Sequence, residues 1–344
     1  MAAGLEVRRD DLRTARVLDA ETSPLGAGQT RFVVERFGLT ANNVTYGLLG
    51  DTLRYWTFFP ATDDGWGRVP AWGFATAVES RSPDVPEGMR IFGYVPMGGE
   101  LVLTPHEVGE RGFQDGSRHR SELPAVYNGY RRAEPSDRDD MTMVLQPLFM
   151  TSVLLARSLD GAERVILSSA SSKTALGTAF LLARGGTEVA GITASRAFVA
   201  GLGVYGELVG YDAIEELDRR RATFVDLAGD AGVRAAVHNH LGDALEASVL
   251  VGATHVDAAP AAGTESLPGP KPTFFFAPDH IRGGIDGEAL AAFGDLLRWS
   301  EGWLELERRD GPDAVLAAWA EAVEGALSPT KALSLSLLEH RLTA

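Results

Sequence analysis

The sequence predicts an α/β protein in two parts, a small β-barrel and a parallel sheet with helices on both faces. Three observations carry this. Val165 to Asp212 reads strand, turn, helix, strand, the order of a βαβ unit. Residues 1 to about 125 read as short strands and loops. A chain of 344 residues is long enough for two domains, each with its own core.

In the first part, Thr30 to Phe37 is a β-rich run, and Gly38 to Gly47 follows it. An aromatic cluster comes next, with Tyr55, Trp56, Phe58 and Phe59, and Trp66 and Trp72 close behind. Val69–Val78, Pro86–Val95 and Glu100–Thr104 read as further strands, the first two opened by Pro and Gly. Short strands at roughly ten-residue spacing with turn signals between them make a small barrel. Residues 106–122 are polar and read as a surface excursion, and Arg131 to Asp140 reads as solvated. Leu123 to Tyr130 places aromatics beside an amide, a composition that lines clefts. Met141 to Leu159 is helical in pattern, and Pro147 predicts a break between two helices.

The second part is organised by the turn after Val165-Ile166-Leu167. Ser168, Ser169, Ala170, Ser171 and Ser172 fill it, and Lys173 and Thr174 open a helix that stops at Gly185-Gly186. Such a turn aims backbone N–H groups and a helix N-terminus at one point, which suits a phosphate. The glycine fingerprint of dinucleotide sites is missing; serine hydroxyls and Lys173 offer other phosphate contacts. Ala175, Gly177 and Ala179 are small enough to let the helix approach the sheet. An ordinary crossover with a Ser-rich turn and no ligand stays open at this point. Beyond Val189–Ile192, the pattern predicts a short helix over 197–203 and strands at 207–212, 222–229 and 247–252, with a helix over 232–240. A Pro/Gly loop over 263–272 precedes Phe274-Phe275-Phe276, and helices over 290–299 and 312–326 flank a strand at 302–306. Lys331 to Leu338 alternates as a closing strand.

Composition narrows the function. Hydrophobic content of 45% and charged content of 23% describe an ordinary soluble protein. A formal net charge of −15 argues against nucleic acid or an anionic membrane as partner. No apolar run reaches the roughly eighteen residues of a membrane span, and no signal-peptide core is present, so a cytoplasmic protein is expected. Cysteine is absent, which excludes disulfides, thiolate nucleophiles and cysteine-ligated metals. The seven histidines, His255 and His340 among them, fall in no ligand spacing, and His238-Asn239-His240 splays its imidazoles apart, so no metal site is expected.

At this point the chain resembles the medium-chain dehydrogenase/reductase superfamily, in its zinc-independent quinone and enoyl reductase branches, over nearly its whole length. Phe37-Gly38-Leu39 through Tyr46 is similar to the family's G-L-N-x-x-D-x-x-Y segment, and Gly88 to Gly93 to its G-D-R-V-x-G. Pro70 to Val78 looks like the P-x-x-x-G-x-E-x-x-G-x-V strand without the acid and the second glycine. Pro147 to Ser152 sits where the family has L-T-A-Y, and Leu202-Gly203 with Gly210-Tyr211-Asp212 is similar to L-G-A-x-x-V-I-D-Y. The Ser-Ala-Ser-Ser-Lys-Thr turn departs from well-studied members and looks like an uncharacterised branch.

The resemblance implies a GroES-like catalytic domain from residues 1–125 with 275–344, and a Rossmann dinucleotide-binding domain over 126–274. It implies no metal, a small-molecule substrate, and a homodimer joined edge to edge near Val249–Val251. The end of the second Rossmann strand carries Ala194-Ser195-Arg196 instead of Asp or Glu, which suits a 2′-phosphate and favours NADP(H) over NAD(H); Arg196 serving only as a loop cap is the competing reading. Cofactor contacts are expected from Ser169, Ala170, Ser171, Ser172, Lys173, Thr174, Ser195, Arg196, Tyr211, Thr151 and Phe276. Tyr46 and Asn43 match positions near the nicotinamide, and Tyr127 and Asn128 are candidate pocket donors. The expected activity is NADPH-dependent reduction of a conjugated enone, quinone or enoyl-type substrate by hydride transfer. Two alternatives are a reductase-like sensor without turnover, and a non-redox lyase or isomerase with Tyr46 or Tyr127 as acid–base group.

Overall fold

The computed structural model describes residues 2–20, 22–252, 267–281 and 286–338. His255, His340 and residues 263–266 of the expected Pro/Gly loop lie outside the described residues. The chain runs β1 (Ala2–Arg8), β2 (Ala15–Ala20), β3 (Thr30–Leu39), α1 (Ala41–Leu48), β4 (Trp66–Gly67), β5 (Pro70–Ser80) and β6 (Arg90–Pro96). It continues with β7 (Glu100–Leu103), β8 (Pro105–Gly109), β9 (Gly112–Asp115), β10 (Gly129–Arg132) and α2 (Asp139–Ser158). Then come β11 (Arg164–Leu167), α3 (Lys173–Arg184), β12 (Glu188–Ile192), α4 (Arg196–Ala200), β13 (Glu207–Val209), β14 (Ala222–Asp226), α5 (Ala231–Leu241) and β15 (Leu245–Leu250). The last elements are β16 (Thr273–Phe274), α6 (Gly287–Ser300), β17 (Glu305–Asp310), α7 (Pro312–Val323) and β18 (Lys331–Ser336).

Two compact units result, residues 1–144 with 304–344, and residues 145–303. In the first, one sheet runs β17-β18-β3-β5-β6-β10-β9-β8, with β7 also on β3, and a smaller sheet runs β2-β1-β4. The C-terminal strand β18 pairs antiparallel with β3 through Leu333↔Leu39, so the chain's return completes the sheet begun by its N-terminal part. Inward residues of β3 such as Phe32, Val34 and Phe37 are buried, as a half-covered strand requires.

Three sequence expectations change here. Residues 106–122 lie largely at the surface but are not all loop: β8 and β9 form a hairpin that pairs with β10, and Phe113, Asp115 and Arg120 are buried. Asp140 is not solvated; it is buried and pairs with Arg308, Arg36 and Ser334. Residues 41–48, to which the pattern assigned no element, form α1. Its start is set by Asn43, whose Oδ1 accepts the Thr40 N–H at 2.9 Å.

In the second unit, all strands are parallel and the order is β13-β12-β11-β14-β15-β16. Counted from β11 this is 3-2-1-4-5-6, the doubly wound dinucleotide order, whose switch point lies between β11 and β14. Alternate residues of β11 feed two cores. Val165 and Leu167 pack with Leu176 and Ala179 of α3, while Ile166 packs with Phe224 and with Val237 of α5. Each such fully buried aliphatic side chain contributes roughly 1.5–3 kcal/mol. Pro147 does not split α2, which runs unbroken with the proline inside. A proline withholds one ladder N–H, and α2 is held beyond it by packing on α3. A Cβ at Gly177 would lie 2.7 Å from Ser152 Oγ, so this glycine admits α2 rather than the sheet. The limits drawn at 126 and 274 in the sequence shift in the fold. β10 pairs within the first unit, and α6 is tied to α3 in the second by Arg184–Asp295 at 2.8 Å and Phe180 against Trp299. β15 is not an edge: Val249 pairs with Thr273 of β16, which is the outer strand. Among the described residues, no helix is long and apolar enough to cross a membrane.

Candidate functional site

The Ser-rich turn lies at the carboxyl end of β11, at the switch point. Ser169 takes φ +49°, a left-handed conformation that glycine ordinarily supplies. The turn folds this way without glycine because each neighbour is pinned. Ala170 N–H donates to Ile192 O at 3.0 Å, Tyr205 Oη to Ala170 O at 2.9 Å, and Ser172 N–H to Ser169 O at 2.8 Å. Ser172 is the N-cap of α3 and accepts the Ala175 N–H. Gly191 makes the approach possible, since a Cβ there would fall 2.7 Å from that of Ala170.

Behind the turn is a buried polar network that the sequence reading missed. Ser168 Oγ donates to Asp226 Oδ1 at 2.9 Å and accepts the Leu227 and Ala228 N–H groups at 2.9 and 3.1 Å. Asp226 also accepts the Gly229 N–H at 2.9 Å and pairs with Arg234 at 3.1 Å. Burial raises the Asp226 carboxyl's pKa, and Gly229, Ser168 and Arg234 draw it back. The network joins the ends of β11 and β14. Its signal in the sequence is a lone carboxylate closing an otherwise apolar strand, Ala222-Thr-Phe-Val-Asp226.

Just after the neighbouring strand β12, Thr193 is buried, Ser195 is half-buried, and Arg196 is exposed at the first turn of α4. Ser195 N–H donates to Thr193 Oγ1 at 3.0 Å. Because β12 pairs in parallel with β11, Ser195 and Arg196 follow the same sheet edge as the turn. Burial lowers the Lys173 ammonium to about 8. Burial raises the Tyr211 phenol, while hydrogen bonds with the Ser169 backbone and hydroxyl lower it, so Tyr211 meets the turn. Thr151 on α2 is committed locally, its hydroxyl donating to Pro147 O at 3.1 Å. Of the three phenylalanines, Phe275 enters the core, whereas Phe276 stacks on the exposed Phe274.

The first unit gathers Tyr46 and Tyr127 into one aromatic cluster with Tyr55, Phe58, Trp72 and Tyr94. Ring centroids are 4.6 Å apart for Tyr46–Tyr55, 4.7 Å for Tyr94–Tyr127 and 5.3 Å for Trp72–Tyr94. Burial raises all four phenol pKa values, so the hydroxyls stay protonated donors well past neutrality. Asn43 and Asn128 are held elsewhere. The Asn43 amide joins Thr40 to the Pro70 carbonyl, and Asn128 Nδ2 donates to Arg120 O at 3.1 Å. Arg120, almost fully buried, pairs with Asp115 at 3.1 Å and bonds Tyr130 Oη and Phe58 O, which locks the segment carrying Tyr127. Among the described residues, His238 and His240 serve structure, bonding Ser248 with Pro268 O and Leu217 O respectively, and no acid or histidine cluster could hold a metal.

One unit with a barrel-like sheet completed by the chain's return and another with a 3-2-1-4-5-6 parallel sheet make up the fold of the medium-chain dehydrogenase/reductase enzymes. Solved structures agree. CurA from Vibrio vulnificus superposes with a TM-score of 0.64 at 12% identity, covering 99% of this chain and 100% of that one. The yhdH oxidoreductase from Salmonella enterica, in complex with NADP, gives 0.53 at 14%, covering 97% and 99%. The Pseudomonas syringae quinone oxidoreductase gives 0.58 at 14%, covering 97% and 99%. No curated protein matches the sequence. Residues 37–328 match the family described as protein of unknown function (DUF2855), and the chain belongs to that family.

Proposed function

We propose that this protein is a metal-independent, NADP(H)-dependent reductase of a conjugated enone, quinone or enoyl-type small molecule. The observation that carries the reading is the pinned serine turn at the switch point, with Ser195 and Arg196 where an NAD site places an acid. Structures similar in fold were solved with NADP, and CurA with NADPH, which supports the same choice of cofactor. Bound NADPH supplies the hydride. The turn from Ser169 to Thr174 and the α3 N-terminus hold its phosphates, with Lys173 adding charge. Ser195 and Arg196 take the 2′-phosphate, and Tyr211, Thr151 and Phe276 complete the nucleotide side. Tyr46 and Tyr127, kept protonated by burial, orient and protonate the substrate; Asn43 and Asn128 shape the backbone around them. In this reading the second unit is the nucleotide domain, the first is the substrate domain, and a homodimer forms through the outer strand β16.

Titration with NADPH and NADH, followed by nucleotide fluorescence, tests the reading alongside Arg196→Ala. Selective NADPH binding that the substitution weakens by about 1–3 kcal/mol is the expected result. Failure to bind either nucleotide would overturn it.

A further inference from the structure

The turn after β11 lacks the glycines that let a backbone wrap a phosphate, and a side chain from outside the turn acts on it. Tyr205, just before β13, donates its hydroxyl to Ala170 O at 2.9 Å. The Ala170 N–H is spent on Ile192 O at 3.0 Å, so both backbone polar groups of this residue are tied down. Ring and turn share the space over one glycine of β12. A Cβ at Gly191 would fall 2.7 Å from that of Ala170 and 3.0 Å from Tyr205 Cδ1. The Gly206 N–H donates to Val189 O at 2.9 Å, which fixes the segment carrying Tyr205 on β12. Burial raises the Tyr205 phenol, so its hydroxyl stays a donor. The residue before Ala170 is the left-handed Ser169, in a conformation that glycine adopts freely and serine does not. A carbonyl oxygen loosened at this place would turn toward the phosphate position and repel the phosphate oxygens.

We infer that Tyr205 is a positioning residue for the pyrophosphate of the nucleotide, its bond to Ala170 O holding the serine turn in the shape that glycines give elsewhere. The inference rests on the NADP(H) reading above and adds a residue that acts through the turn. With the Ala170 carbonyl held by Tyr205, the end of α3 that carries orphan N–H groups faces the phosphate without an opposing oxygen. The bond acts on one end of the nucleotide only. Ser195 and Arg196, assigned to the 2′-phosphate, sit on a separate segment after β12.

The test compares NADPH with adenosine 2′-monophosphate, which carries the 2′-phosphate and no pyrophosphate, by calorimetric titration of the full chain. Tyr205→Phe should weaken NADPH about tenfold and leave adenosine 2′-monophosphate within about twofold of the wild type. A purely structural role would move both affinities together, so equal weakening overturns the inference, as does an unchanged NADPH affinity. Gly191→Ala crowds Ala170 and the Tyr205 ring without removing the hydroxyl, and the same split is expected of it. It carries the test if Tyr205→Phe does not fold, and equal loss of both ligands in it overturns the inference. A wild type that binds neither ligand defeats the NADP(H) reading itself, whereas NADPH binding that Tyr205→Phe leaves untouched defeats this inference alone.

Discussion

The serine turn of the second unit and the tyrosine cluster of the first are both polar groups withdrawn from water, and they are satisfied in different ways. At the turn, Ser168, Asp226 and Arg234 exchange hydrogen bonds with one another and with three backbone N–H groups. In the cluster, the Tyr46 hydroxyl meets Asn42, Trp72 and Tyr94 amid packed aromatic rings. The first arrangement includes an ion pair and backbone N–H groups and ties two strand ends together; the second joins neutral side chains within a wall of rings. In both regions burial favours the neutral form, lowering the Lys173 ammonium and raising Asp226 at the turn and raising the four phenols in the cluster.

The largest effect that sharpens this contrast is expected from Asp226→Ala. It strands Arg234 and Ser168 in a buried setting and should remove about 3–5 kcal/mol from urea unfolding. A loss under about 1 kcal/mol would mean the turn is not held by this network. The pH dependence of unfolding comes next. Lys173 has its pKa lowered from 10.5 to about 8, so the native state releases the proton first and the unfolded chain binds more protons between those values. Stability therefore rises with pH from about 8 toward 10.5, by at most about 3 kcal/mol, and Lys173→Met should flatten that rise. The buried phenols act the other way. Their raised pKa values give stability that is present below the unfolded value of 10 and lost above it. A denaturation midpoint that rises from pH 8, then falls above pH 10, would display both regions at once. The smallest effect is Ser169→Gly. It relieves a left-handed serine at φ +49°, a cost of about 1–2 kcal/mol, against the greater freedom of glycine in the unfolded chain. A net gain of about 0.5 kcal/mol in urea unfolding is expected; a loss would show that the Ser169 hydroxyl holds the turn.

How much was legible follows from how far apart the participants lie in the chain. The turn, its helix and the strands around it are contiguous, so hydrophobic runs and the Gly185-Gly186 stop reported them directly. The position of Ser195 and Arg196 just after β12 was legible for the same reason. Asp226 was visible as a residue but not as a partner, because its contact with Ser168 spans 58 positions. Pro147 misled because a helix penalty of local origin was outweighed by packing on α3. Residues 106–122 misled because their polar composition hid the buried Asp115–Arg120 pair. Val249 read as an edge because the two-residue partner strand, Thr273–Phe274, is too short to show a period.

The sequence by itself determined the alternation of strand and helix, the phosphate-suited turn, the missing acid after Ile192 and the lack of any cysteine, all of which are properties of neighbouring residues. Only the tertiary structure decided the 3-2-1-4-5-6 order, the bond from Ser168 to Asp226, and the meeting of Tyr46, Tyr55, Trp72, Tyr94 and Tyr127. Whether a buried hydroxyl finds a partner depends on groups delivered from distant segments, and no local pattern encodes that.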